Sequence, residues 1–204
     1  FVSQVCTVTF MALSVWLAIG YRRPFLAGLA LGAAMLARPH VILMYPLLTG
    51  VGYKISQELV PKSRWTLLRH WIKLSMIPLF FAVAGILLYN WLRFNNPLDF
   101  GYSTENVAAD LYHDLTTHGQ FSFRYVNRNL RAMLWALPNW DGDRFVPDPW
   151  GMSIFITSPS LFFLVKARQR SPVTIGAWLS VFLIAIPLLA YYNTGWLQFG
   201  YRFS

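Results

Sequence analysis

The sequence predicts an all-α integral membrane protein, a multi-pass helical bundle of about six membrane segments with one large extracytoplasmic loop that contains juxtamembrane helices. Composition is the first reason: 56% of the residues are hydrophobic and 12% are charged, whereas soluble domains carry about 25% charged residues. The second reason is that apolar runs alternate with short basic clusters. The third is that seven of the eight acidic residues fall in one stretch, residues 93–149.

The individual segments follow from run length, because roughly 20 apolar residues cross a hydrocarbon core about 30 Å thick. Two neighbouring runs are each too short to cross, and Arg38-Pro39 separates them. Basic residues flank this pair on both sides, so we interpret it as a hairpin that goes out and returns, with Arg38 at its outer tip. The six segments are residues 2–20, 25–37, 41–53, 74–92, 150–165 and 173–192.

Charge asymmetry predicts the orientation in the membrane. The inner connections together hold ten Lys and Arg against one Glu, and residues 93–149 hold five against seven acidic residues. Because cytoplasmic loops carry the excess of Lys and Arg, residues 93–149 are predicted to be extracytoplasmic. The basic residues lie at the ends of apolar runs and form no continuous stripe, which argues against a nucleic-acid-binding protein. Cys6 is the single cysteine, so the sequence provides neither a disulfide framework nor a zinc spacing.

Two local patterns concern the inner half of the chain. Gly28 and Gly32 form a GxxxG pattern, which lets helix backbones approach closely in a membrane. Residues 54–73 are basic and contain Trp65 and Trp71, which indicates an amphipathic cytoplasmic connection before the next crossing.

The polar stretch has its own predicted order. Asn95-Asn96-Pro97 indicates a turn, and residues 105–118 are predicted to form a helix that Gly119 ends. Residues 121–137 have an apolar side at helical spacing and a basic flank, which is typical of a helix lying in the membrane interface. The apolar side consists of Phe123, Val126, Leu130, Met133, Leu134 and Leu137. The basic flank consists of Arg124, Arg128 and Arg131, which we expect to bind lipid headgroups in preference to a substrate.

Carboxylates and imidazoles in the same stretch raise the question of a metal. Asp110, His113, Asp114 and His118 would share one helix face and could hold a divalent cation. The alternative, which we favour, is a solvated polar face, so no cofactor is expected. Asp141, Asp143 and Asp148 lie among Gly and Pro; they could bind an acceptor or calcium, or simply form turns.

Three parts of the chain resemble a known family. They are RRPFLAGLALGAAMLARPHVILMYPLL in the hairpin, YNWLRFNNPLDFGY where the chain leaves the membrane, and the pair PWGMSIFITSPSLFF and WLQFGYRF. They look like bacterial members of the GT-C glycosyltransferase superfamily, in the family 39-like branch of protein mannosyltransferases and aminoarabinose transferases. The resemblance implies a multi-pass enzyme of the bacterial inner membrane. Such an enzyme transfers a sugar from a polyprenyl-phosphate donor to a lipid, glycan or protein acceptor on the extracytoplasmic side.

The resemblance also implies where the catalytic base lies. In the family it is an acidic residue in the first extracytoplasmic loop, and here no Asp or Glu precedes Glu58. The base is therefore expected upstream. Residues 1–204 would form one membrane domain within a longer protein and would be inactive alone.

Arginines at the outer membrane ends are the candidate donor ligands. A cation near bilayer depth usually has a functional partner, and a guanidinium matches a phosphate bidentately. Arg38 is the first candidate, with a snorkelling side chain bonded to backbone carbonyls as the alternative. Arg202, beside Gln198 and Tyr201, is the second, with an ordinary interfacial anchor as the alternative. Tyr102 could stack on a sugar face.

Two other functions remain open at this point. A transporter or flippase for lipid-linked sugars is expected to show broken helices at corresponding positions of two repeats, and this sequence has one break and no detectable repeat. A non-catalytic membrane scaffold would use the polar loop as a docking surface. The mechanism that the resemblance implies needs no nucleotide and no glycine-rich phosphate loop, and the sequence contains no such loop.

Overall fold

The computed structural model describes residues 2–101, 109–142, 144–146, 152–166 and 170–193. These residues are predominantly helical, with 3-10 turns at Pro39–Met44, Pro61–Ser63 and Pro159–Lys166 and one antiparallel pair, β1 (Asn139–Asp141) and β2 (Arg144–Val146). The α-helices are α1 (Val2–Ile19), α2 (Pro24–Ala37), α3 (Tyr45–Leu59), α4 (Arg64–Phe94), α5 (Ala109–His118), α6 (Arg124–Trp135), α7 (Ile154–Thr157) and α8 (Pro172–Ala190).

Three of these helices are long and apolar enough to cross a membrane. They are α1, α4 together with the preceding 3-10 turn, and α8, with mean hydropathies of 1.8, 2.0 and 2.3 in their most apolar windows. The structure therefore confirms a helical protein of membrane character. The count of six segments and the side on which residues 93–149 lie stay predictions.

The segment predicted at 150–165 is not one continuous helix in its described part. The one-turn helix α7 is followed at Pro159 by a 3-10 stretch. Proline lacks the backbone N–H that a helix needs and clashes with the preceding turn, and it also disfavours the helical conformation of the residue before it. Ser158 accordingly has φ −136° and ψ 72°, outside the helical region.

The described residues form two compact units. The first unit comprises residues within 1–105 and 169–184, and the second comprises residues within 106–168 and 185–204. Helix α8 contributes its first part to the first unit and its last part to the second.

Helix α2 packs between α1 and α4 in the first unit. Ser14 Oγ donates to the Ala27 carbonyl at 2.8 Å, which joins α1 to α2. A Cβ built on Gly28 would lie 2.0 Å from the Ser75 carbonyl oxygen, and one on Gly32 would lie 3.2 Å from the Ala82 Cβ. The close packing predicted for the GxxxG pattern is therefore confirmed, with α4 as the partner.

Helix α3 runs back along α4 in the direction opposite to α2. Its first residue, Tyr45, is hydrogen-bonded to Ser75 Oγ at 2.9 Å, and further along α3 the Leu48 carbonyl accepts from Trp71 Nε1 at 3.1 Å. At the open end, Arg22 Nη2 lies 3.4 Å from Glu58 Oε2. Residues 24–59 therefore form a helical hairpin, as the sequence predicted, and its course relative to the membrane stays a prediction. The connection predicted at 54–73 is shorter than expected, because α3 continues to Leu59 and α4 already begins at Arg64.

Helix α8 holds the start of α3. Ser180 Oγ donates to the Met44 carbonyl at 3.0 Å and lies 3.1 Å from the Leu47 amide nitrogen, which donates to it. The first amides of a helix have no partner within the helix, so Ser180 supplies one from a neighbouring helix. Small residues permit this approach, since a Cβ on Gly176 would lie 2.5 Å from the Pro46 carbonyl oxygen.

The second unit contains the two helices predicted within the polar stretch. Helix α5 ends at Gly119, whose φ is +74° and whose amide donates to the Leu115 carbonyl at 3.0 Å. Glycine adopts this left-handed conformation without steric cost. Helix α6 is followed by Ala136, whose carbonyl accepts from the Ser153 amide at 2.9 Å, and Ser153 Oγ donates to the Leu134 carbonyl at 2.7 Å.

Candidate functional site

The break between α2 and α3 lies at Arg38. Its backbone is extended, with φ −148° and ψ 103°, because the proline that follows disfavours the helical conformation. The Arg38 amide still donates to the Ala34 carbonyl at 3.0 Å, and the Arg38 carbonyl accepts from the Val41 amide at 3.1 Å. The side chain is half-buried. A cation is therefore fixed at the tip of an apolar hairpin, as the sequence predicted.

An apolar groove begins three residues beyond the Arg38-Pro39 turn. It has a volume of about 770 Å³ and runs along α4 from Val83 to Lys73. Its wall on the hairpin side is formed by Ile42 and Tyr45. This volume falls within the roughly 300–1,000 Å³ of ordinary ligand sites. The lining is almost wholly apolar, so the groove suits a hydrocarbon chain better than a sugar or nucleotide.

A second groove lies on the other side of Tyr45. It has a volume of about 510 Å³ and is lined by α3 and α8, with Thr49, Gly50, Tyr53 and Gly176 among its residues. Tyr45 lines both grooves, and its hydroxyl is held by Ser75 Oγ.

Comparisons of this chain with family models, curated proteins and solved structures found no match. The resemblance to glycosyltransferases stays a prediction.

A second candidate region surrounds the carboxyl end of α8. The last carbonyls of a helix have no partner within the helix. Here Asn129 Nδ2 donates to the carbonyls of Leu189 at 2.8 Å and Tyr191 at 2.6 Å, and the Ser122 amide donates to the Ala190 carbonyl at 2.8 Å. Helix α6 and the turn before it therefore cap α8.

Arg128 completes this cap. Its Nη2 donates to the Tyr192 carbonyl, and its Nη1 lies 2.7 Å from Asp114 Oδ2. The guanidinium carbon is 5.2 Å from the centre of the Tyr125 ring, which is a cation–π distance. A cation is favourable at the carboxyl end of a helix because the helix dipole is negative there. Arg128 is therefore engaged within the protein, and its predicted binding to lipid headgroups stays a prediction.

Tyr125 is the buried centre of the second unit. Its hydroxyl donates to the carbonyls of Asp114 at 2.8 Å and Gly119 at 3.0 Å, and its ring packs with Tyr191 and Tyr192. Burial raises the pKa of the Tyr125 phenol, and the Asp114 carboxylate adds to this effect, while Arg128 and Arg124 oppose it.

This raised pKa gives a testable pH dependence. The folded protein holds the phenol proton more tightly than the unfolded chain, so Tyr125 contributes its full stability below the ordinary tyrosine pKa of 10.0. That contribution is lost as the pH rises through the higher folded value. We expect the free energy of unfolding of the second unit to fall more steeply above about pH 10 in the wild type than in Tyr125→Phe.

The measurement is thermal unfolding followed by circular dichroism at several alkaline pH values. Tyr112→Phe is the matched control, because Tyr112 is 61% exposed on α5. Its pH dependence should match that of the wild type. If the free energy of unfolding fell equally steeply with pH in Tyr125→Phe and in the wild type, the role of the Tyr125 hydroxyl would be contradicted.

The four metal candidates do not form a ligand set among the described residues. No group of three or more His, Cys, Asp or Glu side chains lies close enough to hold an ion in the part of the chain that the structure describes. Asp114 is paired with Arg128, and His118 lies beside Tyr125 with ring centres 6.5 Å apart. His113 is on the same helix, and of Asp110 the structure describes the backbone alone.

Several predicted site residues fall outside the described residues. These are Tyr102, Asp143, Asp148, Gln198, Tyr201 and Arg202. Asp141 lies in β1, with its backbone described. Of the predicted donor ligands, the structure therefore places Arg38. All three arginines of α6 are exposed, and Arg128 differs from Arg124 and Arg131 in its ion pair with Asp114.

Sequence reasoning missed the polar groups that join the helices. Asn129 is completely buried and Ser180 is 4% exposed, and both bond to backbone groups of a distant segment. A polar residue inside an apolar run is the signal for such a contact, and Ser180 shows it. Asn129 gives no such signal, because it lies in a polar helix.

Proposed function

We propose that this chain is the membrane part of a glycosyltransferase that takes a sugar from a polyprenyl-phosphate donor and transfers it to an acceptor on the extracytoplasmic side. The observation that carries the proposal is the position of Arg38 at the tip of the α2–α3 hairpin, with the apolar groove beginning at Ile42. A polyprenyl phosphate has the same two parts, an anionic head and a long apolar chain.

Arg38 would bind the donor phosphate. A guanidinium pairs bidentately with phosphate oxygens, and a fixed cation stabilises the negative charge that develops on a leaving group. In the proposed reaction the acceptor hydroxyl attacks the anomeric carbon and the bond from that carbon to the phosphate oxygen breaks. The hydroxyl proton passes to a carboxylate, the general base that the resemblance implies.

The groove would hold the first isoprene units of the donor. Met76, Phe80 and Val83 of α4 line it together with Ile42, and burial of apolar surface contributes about 25 cal/mol per Å². Phosphate recognition at Arg38 would set the depth of the donor.

The proposed topology has six segments, with residues 93–149 on the extracytoplasmic side. Its support is the separation of charges along the hairpin. Arg22, Lys54 and Glu58 cluster at the open end, and Arg38 lies at the opposite tip. Arg202 would be a second phosphate ligand in the same arrangement.

The test uses the chain in lipid nanodiscs with a polyprenyl phosphate and the corresponding polyprenol as ligands. We expect the wild type to bind the phosphate more tightly than the alcohol. Arg38→Ala should weaken phosphate binding by roughly 10- to 100-fold, since hydrogen bonds to charged groups contribute about 1.5–3 kcal/mol, and should leave binding of the alcohol unchanged. Arg38→Lys keeps the positive charge but lacks the planar guanidinium. Its affinity for the phosphate should lie between those of the wild type and Arg38→Ala.

Arg69→Ala is the matched control, because Arg69 is exposed on α4. It should bind like the wild type. Equal affinity of Arg38→Ala and the wild type for the phosphate would remove Arg38 from the site. A chain that binds neither ligand would favour the scaffold function.

A further inference from the structure

Helix α6 has three distinct sides. Tyr125 and Asn129, one turn apart, face the protein and are buried. The apolar side carries Val126, Leu130 and Met133, which are half-buried, with Phe123 just before the helix 86% exposed. A third, basic side carries the arginines. The protein therefore buries the Tyr125 side and leaves the apolar side partly exposed.

The position of α6 is fixed at the end of a helix that is apolar enough to cross a membrane. Asn129 binds the carbonyls of Leu189 and Tyr191, and Arg128 binds that of Tyr192. A helix that caps a membrane span at its last turn lies at the depth where hydrocarbon gives way to lipid headgroups. The partly exposed apolar side of α6 is thus at the right level to meet lipid.

We propose that α6 docks on the bilayer surface and that Arg124 and Arg131 bind the phosphates of anionic phospholipids. This inference does not depend on the donor site proposed above. Helix α6 contains three arginines and no acidic residue, so its charge complements an anionic headgroup layer. An interfacial helix buries its apolar face to about 5–10 Å in that layer.

The structure distinguishes the two lipid-binding arginines from the third. Arg128 is held by Asp114 and the Tyr192 carbonyl and sets the orientation of α6 on the protein. Among the described residues, neither Arg124 nor Arg131 forms an ion pair, and both are exposed. A basic side chain near an anionic membrane surface gains about 1 kcal/mol.

The experiment measures the depth of α6 by electron paramagnetic resonance. A nitroxide is placed at Leu134→Cys in a Cys6→Ala background, and the full chain is reconstituted in vesicles of phosphatidylcholine, with or without phosphatidylglycerol. We expect the label to be accessible to oxygen and protected from a water-soluble nickel reagent. We expect it to lie deeper when phosphatidylglycerol is present. Arg124→Gln/Arg131→Gln should abolish that difference between the two vesicles.

Two variants serve as controls. Arg124→Lys/Arg131→Lys keeps the charges and should keep the difference in depth. Lys62→Gln/Arg69→Gln removes two exposed charges elsewhere and should also keep it.

Three results would overturn the proposal. The first is a label accessible to the nickel reagent in both vesicles, which would show a water-exposed face. The second is a label protected from both reagents, which would show a protein or a second copy on α6. The third is a depth difference that survives in the glutamine variant.

Discussion

Gly28→Ala is expected to destabilise the first unit by about 3 kcal/mol or more, at the upper end of what overpacking usually costs. The added methyl would lie 2.0 Å from the carbonyl oxygen of Ser75 and 2.9 Å from its Cα. These are backbone atoms of α4, so no side-chain rotation can relieve the contact and the two helices must separate. Thermal unfolding of the chain in detergent, followed by circular dichroism, measures the loss.

Gly85→Ala is the matched control for this substitution. Gly85 also lies in a helix, and a Cβ built on it meets no described atom within 4 Å. Alanine is favoured over glycine in a helix by roughly 0.5–1 kcal/mol, so Gly85→Ala should be neutral or stabilising. Gly32→Ala should lie between the two, since its Cβ would be 3.2 Å from the Ala82 Cβ. A Gly28→Ala variant as stable as Gly85→Ala would contradict the α2–α4 contact.

Asn129→Ala is expected to release α6 from the end of α8. The substitution leaves the carbonyls of Leu189 and Tyr191 without their donor, and an unsatisfied buried acceptor costs about 1–3 kcal/mol. Asn129 Oδ1 accepts no hydrogen bond from the described residues, so its removal offsets part of this loss. A net destabilisation of roughly 2–4 kcal/mol follows. Amide hydrogen exchange should accelerate throughout residues 120–135 and leave the first unit unchanged.

Asn127→Ala provides the comparison for Asn129→Ala. Asn127 lies on the same helix and is exposed, so the same change in composition removes no described contact to α8. Its exchange pattern should match that of the wild type. Alanine is a better helix former than asparagine, so similar acceleration in both variants would mean that the effect does not come from the loss of the cap on α8.

The sequence predicted well those elements that are determined by residues within or directly beside them. Gly119 ends α5 because glycine accepts a positive φ, and the apolar spacing of residues 121–137 predicts α6 within a few residues of its ends. Run length likewise predicts α1 and α8. The tip at Arg38 follows from the proline beside it.

The features that the sequence did not predict depend on distant partners. The α6 pattern identifies an apolar side, yet the most buried residues, Tyr125 and Asn129, lie on another side because they contact the end of α8. Arg128 and Arg124 are the same residue type on the same basic side of α6, and the contacts of Arg128 with Asp114 and the Tyr192 carbonyl separate their roles. The apolar run at 150–165 satisfied the criterion of hydrophobicity, but Pro159 interrupts it.

Glu58 has a modest energetic role in spite of its position. It bridges Arg22 at 3.4 Å and Lys54 at 3.9 Å, and all three side chains are about half exposed. Exposed ion pairs contribute about 0–1 kcal/mol and are screened by electrolyte. The hairpin is therefore held by close contacts at glycine and by serine hydroxyls, and concentrated salt should leave its architecture intact.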